Sequence, residues 1–357
     1  MTTFWAGAIL QIMQRPTNSK ALLSGLGFLA LLVGICCGAA PTPSAGKQQQ
    51  TQDKTCSLTH GGLERTYRLH VPVGRDKDRP VPLVIVLHGG GGTGDRTVKL
   101  TRGGFDRLAD KDGFLVVYPD GVENHWNDGR TEVSYRAHKE KIDDVGFLSA
   151  LIGTLVREYN VDAGRVYVTG ISNGAMMSLR MGWEASDKVA AIAPVAGTMP
   201  EVSCEKCAPQ RPVPVLLISG TEDPLVPWGG GDVHFGRRTL GKVLSADRTI
   251  EFWMKHDGCA EKAEVTRLPD ADPADGTQVR CETHGGGEEG SEVVLYAIEH
   301  GGHTWPGGEQ YLRERFIGKT CRDIDACEVI WEFFKKHERK PAADGVQPAG
   351  KGEDVRR

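Results

Sequence analysis

The run VYVTGISNGAMMSLRMGW, Val166 to Trp183, decides how the rest of the chain is read. RVYVTG is a short, mostly apolar run of strand type, and SNGAMMSLRMGW that follows suits a helix. Ser172 stands at the junction, between Gly170 and Gly174. A turn alone needs one small residue. Two glycines around a hydroxyl fit a sharp strand–turn–helix corner, where flanking side chains would collide and the serine is pushed out above the sheet. The helix that follows aims its free N–H groups and positive dipole end at the same place. Ser172 reads as a nucleophile rather than a plain turn serine.

Outward from this corner the pattern repeats. RTYRLHVP alternates as a strand, and the apolar runs VPLVIVLH (Val81 to His88) and FLVVYPDG (Phe114 to Gly121) suit strands buried on both faces. Asp143 to Tyr159 has helical spacing through Val145, Leu148, Ile152, Leu155 and Val156. VAAIAPVAG, VPVLLISG and EVVLYAIEH read as further strands, and Leu240 to His256 as a helix. Asp325-Ala-Cys-Glu328 is a capping box for the final helix, IWEFFKKH. Apolar strands alternating with amphipathic helices predict an α/β fold with a mostly parallel sheet covered on both faces. Such sheets gather their chemistry at the carboxyl ends of the strands.

A serine needs a base, and the base an orienting acid, here in the chain order serine, acid, histidine. VPVLLISG ends in Thr221-Glu222-Asp223-Pro224, which makes Asp223 the favoured acid and Glu222 its rival. EVVLYAIEH is followed by Gly301-Gly302-His303-Thr304-Trp305, so His303 is the favoured base, with His300 and His284 as competitors. The loop Leu87-His88-Gly89-Gly90-Gly91-Gly92 lacks the spacing of a phosphate cradle. It suits an oxyanion hole, in which the N–H of Gly90 or Gly91 joins that of Asn173. Trp126 and Trp305 are candidates for lining a substrate pocket, with Trp228 a third.

The chain has 357 residues and a formal net charge of −4, which argues against nucleic acid or an anionic membrane as partner. Arg15 and Lys20 precede an uncharged, largely apolar run from Ala21 to Ala40, the layout of a secretory signal, with Met13 a possible start. The same run is long enough for an uncleaved anchor. A lipoprotein reading needs a small residue before the cysteine, and Ile35 precedes Cys36. The expected organisation is a signal over 1–39, a polar spacer over 40–55, one catalytic domain over 56–338 and a solvated tail over 339–357. Outside the signal lie Cys56, Cys204, Cys207, Cys259, Cys281, Cys321 and Cys327, and in an exported chain such cysteines suggest disulfides. Cys204 and Cys207 have the spacing of half a zinc site with nothing to complete it, so no metal and no cofactor is expected.

LVIVLHGGGG, FLVVYPDG with HWNDGR, DDVGFL, YVTGISNGAMM, AAIAPVAG, SGTEDPLVP and GGHTWPGG occur in that order between about Thr66 and His337. Together they resemble the polyhydroxybutyrate depolymerase family of esterases, which includes feruloyl and acetylxylan esterases. The resemblance implies an α/β-hydrolase fold, a Ser172–Asp223–His303 triad and an ester substrate, such as an oligomeric hydroxyalkanoate or an aromatic or acetyl sugar ester. It also implies a disulfide between Cys259 and Cys281. Cys321 and Cys327 are a weaker candidate pair. His300 stands where the family often has glycine, and Cys321 and Cys327 replace other small residues. Relatives that erode solid polymer granules usually add a surface-binding domain, and nothing of that kind follows His337, so soluble esters are expected. A monomer is expected, with no stable membrane partner. A peptidase of the same fold, or a binding protein without catalysis, are the readings from other classes. The first usually adds a domain over the site, and the second is expected to lose a triad member.

Overall fold

The computed structural model describes residues 52–201 and 208–340, all within one compact unit that begins at Gln49. The signal-like segment, most of the spacer, Cys204 and Cys207, and the tail beyond 340 lie outside the described residues. The strands are β1 (Gln52–His60), β2 (Leu63–Val71), β3 (Val81–Leu87), β4 (Leu115–Pro119), β5 (Val161–Ile171), β6 (Ala191–Val195) and β7 (Val215–Gly220). They continue with β8 (Gly231–Phe235), β9 (Arg238–Val243), β10 (Glu264–Arg267), β11 (Gln278–His284) and β12 (Val293–Glu299). The helices are α1 (Gly94–Leu100), α2 (Gly104–Asp112), α3 (Arg136–Lys139), α4 (Asp144–Tyr159), α5 (Asn173–Glu184), α6 (Ala246–His256), α7 (Glu314–Ile317) and α8 (Ala326–Phe334).

Among the described residues ten strands form one sheet in the order β1-β2-β4-β3-β5-β6-β7-β12-β11-β10. The six from β4 to β12 run parallel, and the strands outside them pair antiparallel. This is the α/β-hydrolase arrangement. The apolar runs explain it, because alternate residues of each central strand feed opposite faces. Leu83, Ile85 and Leu87 of β3 pack in a cluster with Phe147, Leu148 and Leu151 of α4, Met177 and Leu179 of α5, and Trp253 of α6. Val84 and Val86 join the other cluster, with Phe105 of α2 and Ile330, Trp331 and Phe334 of α8. A third, smaller cluster of Met176, Val226, Val233, Leu240 and Val243 joins the start of α5 to the β8–β9 hairpin.

Three boundaries depart from expectation. β1 starts at Gln52, inside the expected spacer, because Gln52 to His60 pair along the whole of β2 and Asp53 forms ion pairs with Arg68 and His70. The chain stays packed past 338, where the Arg339 N–H donates to Gly164 O at 2.8 Å and its guanidinium to Ala163 O at 2.7 Å. Leu240 to His256 is not one helix. Its first residues complete β9, and Ser245 then caps α6 by accepting from the Arg248 N–H at 3.1 Å.

The implied Cys259–Cys281 disulfide is not formed, and both thiols are free. The reason is the sheet itself. Cys259 is buried in the α4–α6 cluster, whereas Cys281 packs against the α2–α8 cluster on the opposite face. Cys321 and Cys327 share that second cluster and are also free.

Candidate active site

Ser172 leaves the end of β5 with φ 58° and ψ −118°, a strained conformation for a residue with a side chain. Its N–H donates to Val195 O at 2.9 Å, which ties the corner to β6. The two glycines are explained by what a Cβ would meet. On Gly170 it would lie 2.7 Å from both Leu87 O and the Gly174 carbonyl carbon. On Gly174 it would collide with the carbonyl oxygens of Leu87 and His88. Only bare backbone lets α5 start this close to β3.

Asp223 follows β7 and His303 follows β12, the next strand in the sheet. The His303 Nδ1–H donates to Asp223 Oδ2 at 2.7 Å, and both side chains are almost completely buried. The other carboxylate oxygen accepts the Leu225 and Val226 N–H groups at 2.8 and 2.9 Å. The carboxylate is therefore locked, and it fixes the imidazole with Nε2 as the ring nitrogen not engaged by Asp223. Ser172 lies at the same carboxyl edge, two strands from β7, and its Oγ is not hydrogen-bonded to His303 or any other described residue.

The rivals separate by burial. His300 and Glu222 bond each other at 2.8 Å, with 64% and 61% of their side chains exposed. His284 is buried but donates Nδ1–H to Ala260 O at 2.8 Å, tying the end of β11 to the loop after α6. Tyr311 donates its hydroxyl to His303 O at 3.0 Å, and burial followed by the nearby Asp223 charge pushes that phenol well above its usual range.

In the glycine loop, Gly91 gives its N–H to Asn124 O at 2.8 Å and Gly92 to Gly89 O at 2.9 Å. The Gly90 N–H has no acceptor among the described residues, and a Cβ there would stand 3.9 Å from Asn173 Cβ. Asn173 opens α5, so its N–H has no acceptor within the helix. The loop is braced by His88, whose Nδ1–H donates to Gly89 O at 2.8 Å and whose Nε2 accepts from the Gly121 N–H at 2.9 Å. Burial holds that imidazole neutral, with its pKa lowered to about 4.

These features sit on a chain whose relatives are esterases. The sequence profile of the family described as esterase PHB depolymerase matches residues 65–200. NocK of Nocardia uniformis subsp. tsuyamanensis, which carries an esterase name, is 32% identical over 347 residues, 87% of this chain and 97% of its own. The chain belongs to the PHB depolymerase family of esterases. The poly(3-hydroxybutyrate) depolymerase of Ralstonia pickettii is 29% identical over 346 residues, 91% of this chain and 68% of that protein. Feruloyl esterase B of Piromyces equi is 29% identical over 246 residues, 65% of this chain but only 41% of its own length. A thermostable esterase of known crystal structure aligns with a TM-score of 0.51 at 18% identity, over 80% of this chain and 63% of that one, which speaks for the fold alone.

Two expected pocket residues of this esterase do not line a pocket. Trp126 and Trp305 are fully buried and offer a ligand no surface. Trp126 donates its indole N–H to His88 O at 3.0 Å, behind the glycine loop. Trp305 packs edge-on to Phe105, with ring centres 6.1 Å apart, beneath α2 and α8. Trp228 is half-buried against the α4–α6 cluster. The half-buried neighbour that the sequence reading passed over is His125, which stacks on Tyr135 at 3.6 Å beside Gly90. Asp128 was passed over too. Its only sequence signal was its place in HWND.

Among the described residues two groups bring three potential metal ligands together. In Asp53, His70 and Asp106, Arg68 already pairs with both carboxylates. In Asp275, Cys321 and Asp323, the carboxylates accept backbone N–H groups, Asp323 from Ala271 and Asp275 from Thr277 and Arg322. Neither group includes a residue of the Ser172 edge.

Proposed function

We propose that this esterase is a serine hydrolase acting on carboxylic esters through an acyl-enzyme. Ser172 Oγ attacks the ester carbonyl while its proton passes to His303 Nε2. The oxygen of the tetrahedral intermediate takes hydrogen bonds from the Gly90 and Asn173 N–H groups. Collapse breaks the bond to the alkoxy oxygen, which leaves as the alcohol with the proton from His303. Water then repeats the cycle at the acyl carbonyl and frees the acid. The observation that carries this reading is the buried 2.7 Å Asp223–His303 bond at the edge where the strained Ser172 emerges.

The substrate class proposed is a short-chain or oligomeric hydroxyalkanoate ester, supported by similarity to the Ralstonia depolymerase along most of the chain. A feruloyl ester is the second reading, favoured by the half-buried His125–Tyr135 stack beside Gly90, a flat wall suited to an aromatic acyl group. Export is part of the proposal and rests on the apolar run from Ala21 to Ala40. No described helix is long and apolar enough to cross a membrane. The test is hydrolysis of nitrophenyl acetate, hydroxybutyrate trimer and methyl ferulate by the wild type and Ser172→Ala. Wild-type hydrolysis lost in the variant supports the mechanism, and the better of the last two substrates decides the class. Full activity of Ser172→Ala overturns it.

A further inference from the structure

Asp128 lies in the loop after β4, and its side chain has no solvent exposure. Arg130 grips it through Nη2 at 2.7 Å and Nε at 3.0 Å, and His138 Nε2 meets its Oδ1 at 2.9 Å. Its Oδ2 also accepts from Asn173 Nδ2 at 2.6 Å. Burial alone would raise this carboxyl, but Arg130 and then His138 hold it well below the usual carboxylate range. Asn173 spends the rest of its amide on Trp126, donating to its carbonyl at 2.9 Å and accepting from its N–H at 2.8 Å. Every hydrogen of that amide is committed to protein, so this side chain orients rather than recognises. Arg130 also reaches Leu240 O on β9 at 2.7 Å, which links the network to the hairpin packed on the start of α5.

We infer that Asp128 is a positioning residue for ester hydrolysis: through the Asn173 side chain it fixes the peptide whose N–H faces the oxyanion. The inference rests on Ser172 as nucleophile and Asn173 as oxyanion donor. Ser172 is strained, so the peptide after it needs to be held from outside the corner. The carboxylate does so without touching substrate. A misplacement of about 1 Å at such a donor costs on the order of 100-fold in rate.

The decisive variant is Asn173→Ala, because it keeps the backbone N–H and leaves Asp128 paired with Arg130 and His138. Its kcat on nitrophenyl acetate is expected to fall roughly 30- to 100-fold with KM within about 3-fold, since the lost interaction acts in the transition state. Affinity for a phenylboronic acid, whose tetrahedral adduct uses the same N–H groups, should fall in step. Asp128→Asn should show the same split. Because Asp128 acts through the Asn173 amide, which Asn173→Ala removes together with its two Trp126 bonds, Asp128→Asn/Asn173→Ala should be no worse than Asn173→Ala alone by more than about 3-fold. Should Asp128→Asn not fold, Asn173→Ala decides alone. Wild-type kcat and boronate affinity in Asn173→Ala, or multiplicative losses in the double variant, overturn the inference. Ser172→Ala in parallel separates the two levels. If it is inactive while Asn173→Ala is unaffected, only the Asp128 role fails. If it stays active, the nucleophile reading fails and takes this one with it.

Discussion

Replacing Gly174 by alanine adds one methyl group at the tightest point of the elbow. The new Cβ would lie 2.6 Å from His88 O and 2.7 Å from the Leu87 carbonyl carbon, and closer still to Leu87 O. Restoring an ordinary contact of about 3.4 Å to Leu87 O, the nearest atom, needs roughly 1 Å of movement. β3 is hydrogen-bonded on both sides, to β4 and β5, in the middle of the sheet, so α5 must give way. The start of α5 carries the Asn173 N–H, and the β3 side carries that of Gly90. Their separation therefore changes by most of the displacement. Shifts of this size at a catalytic group cost on the order of 100-fold in rate, and such overpacking costs about 1–3 kcal/mol of stability. At about 2 °C per kcal/mol for a domain this large, Tm should drop by roughly 2–6 °C. The assay is kcat on nitrophenyl acetate beside a thermal melt. Gly229→Ala is the control, since a Cβ there meets nothing within 4 Å. Gly174→Ala with kcat within about 3-fold of wild type and an unchanged Tm would refute the close-approach reasoning.

Three further outcomes are expected. His88 is neutral in the fold down to about pH 4, whereas in the unfolded chain it takes a proton below 6.5, so the unfolded state binds more protons between these values. Its contribution is present above pH 6.5 and is lost as pH falls towards 4, by up to about 3 kcal/mol; urea unfolding at pH 7 and 4.5 should show a shallower pH slope in His88→Asn, and an equal slope contradicts this. His300→Ala and Glu222→Ala should keep kcat within about 3-fold, because an exposed pair contributes about 0–1 kcal/mol; an inactive His300→Ala would return the base to that residue. Trp305→Ala should cost about 3–5 kcal/mol in urea unfolding, with KM for nitrophenyl acetate changed less than about 3-fold; a large KM change at unaltered stability would restore its place in the pocket.

The central strands and the elbow were legible because their signals are local. A strand buried on both faces must be apolar throughout, and a corner as tight as Gly170 to Gly174 has to lack side chains. Asp223 and His303 were legible because each follows a long apolar strand, although nothing local set them apart from Glu222 and His300. Burial separates the pairs, and burial depends on loops that pack from elsewhere. β9 was misread because Leu240, Val243 and Leu244 carry helical spacing, and its pairing with β8 across Met176 and Val226 is tertiary. The Cys259–Cys281 pairing was implied by the family resemblance, and a resemblance does not tell which face of the sheet each cysteine occupies in this chain. Trp126 and Trp305 lie beside chemistry in sequence yet point into the core. Asp128 could not be singled out because its partner Asn173 lies 45 residues away.

The most direct measurement of the central claim is a crystal structure of the protein inactivated by a small aryl phosphonate. The phosphorus should be bonded to Ser172 Oγ, with its phosphoryl oxygen about 2.7–3.1 Å from the N–H nitrogens of both Gly90 and Asn173. A phosphonate on any other residue, or one on Ser172 whose oxygen points away from both nitrogens, would contradict it.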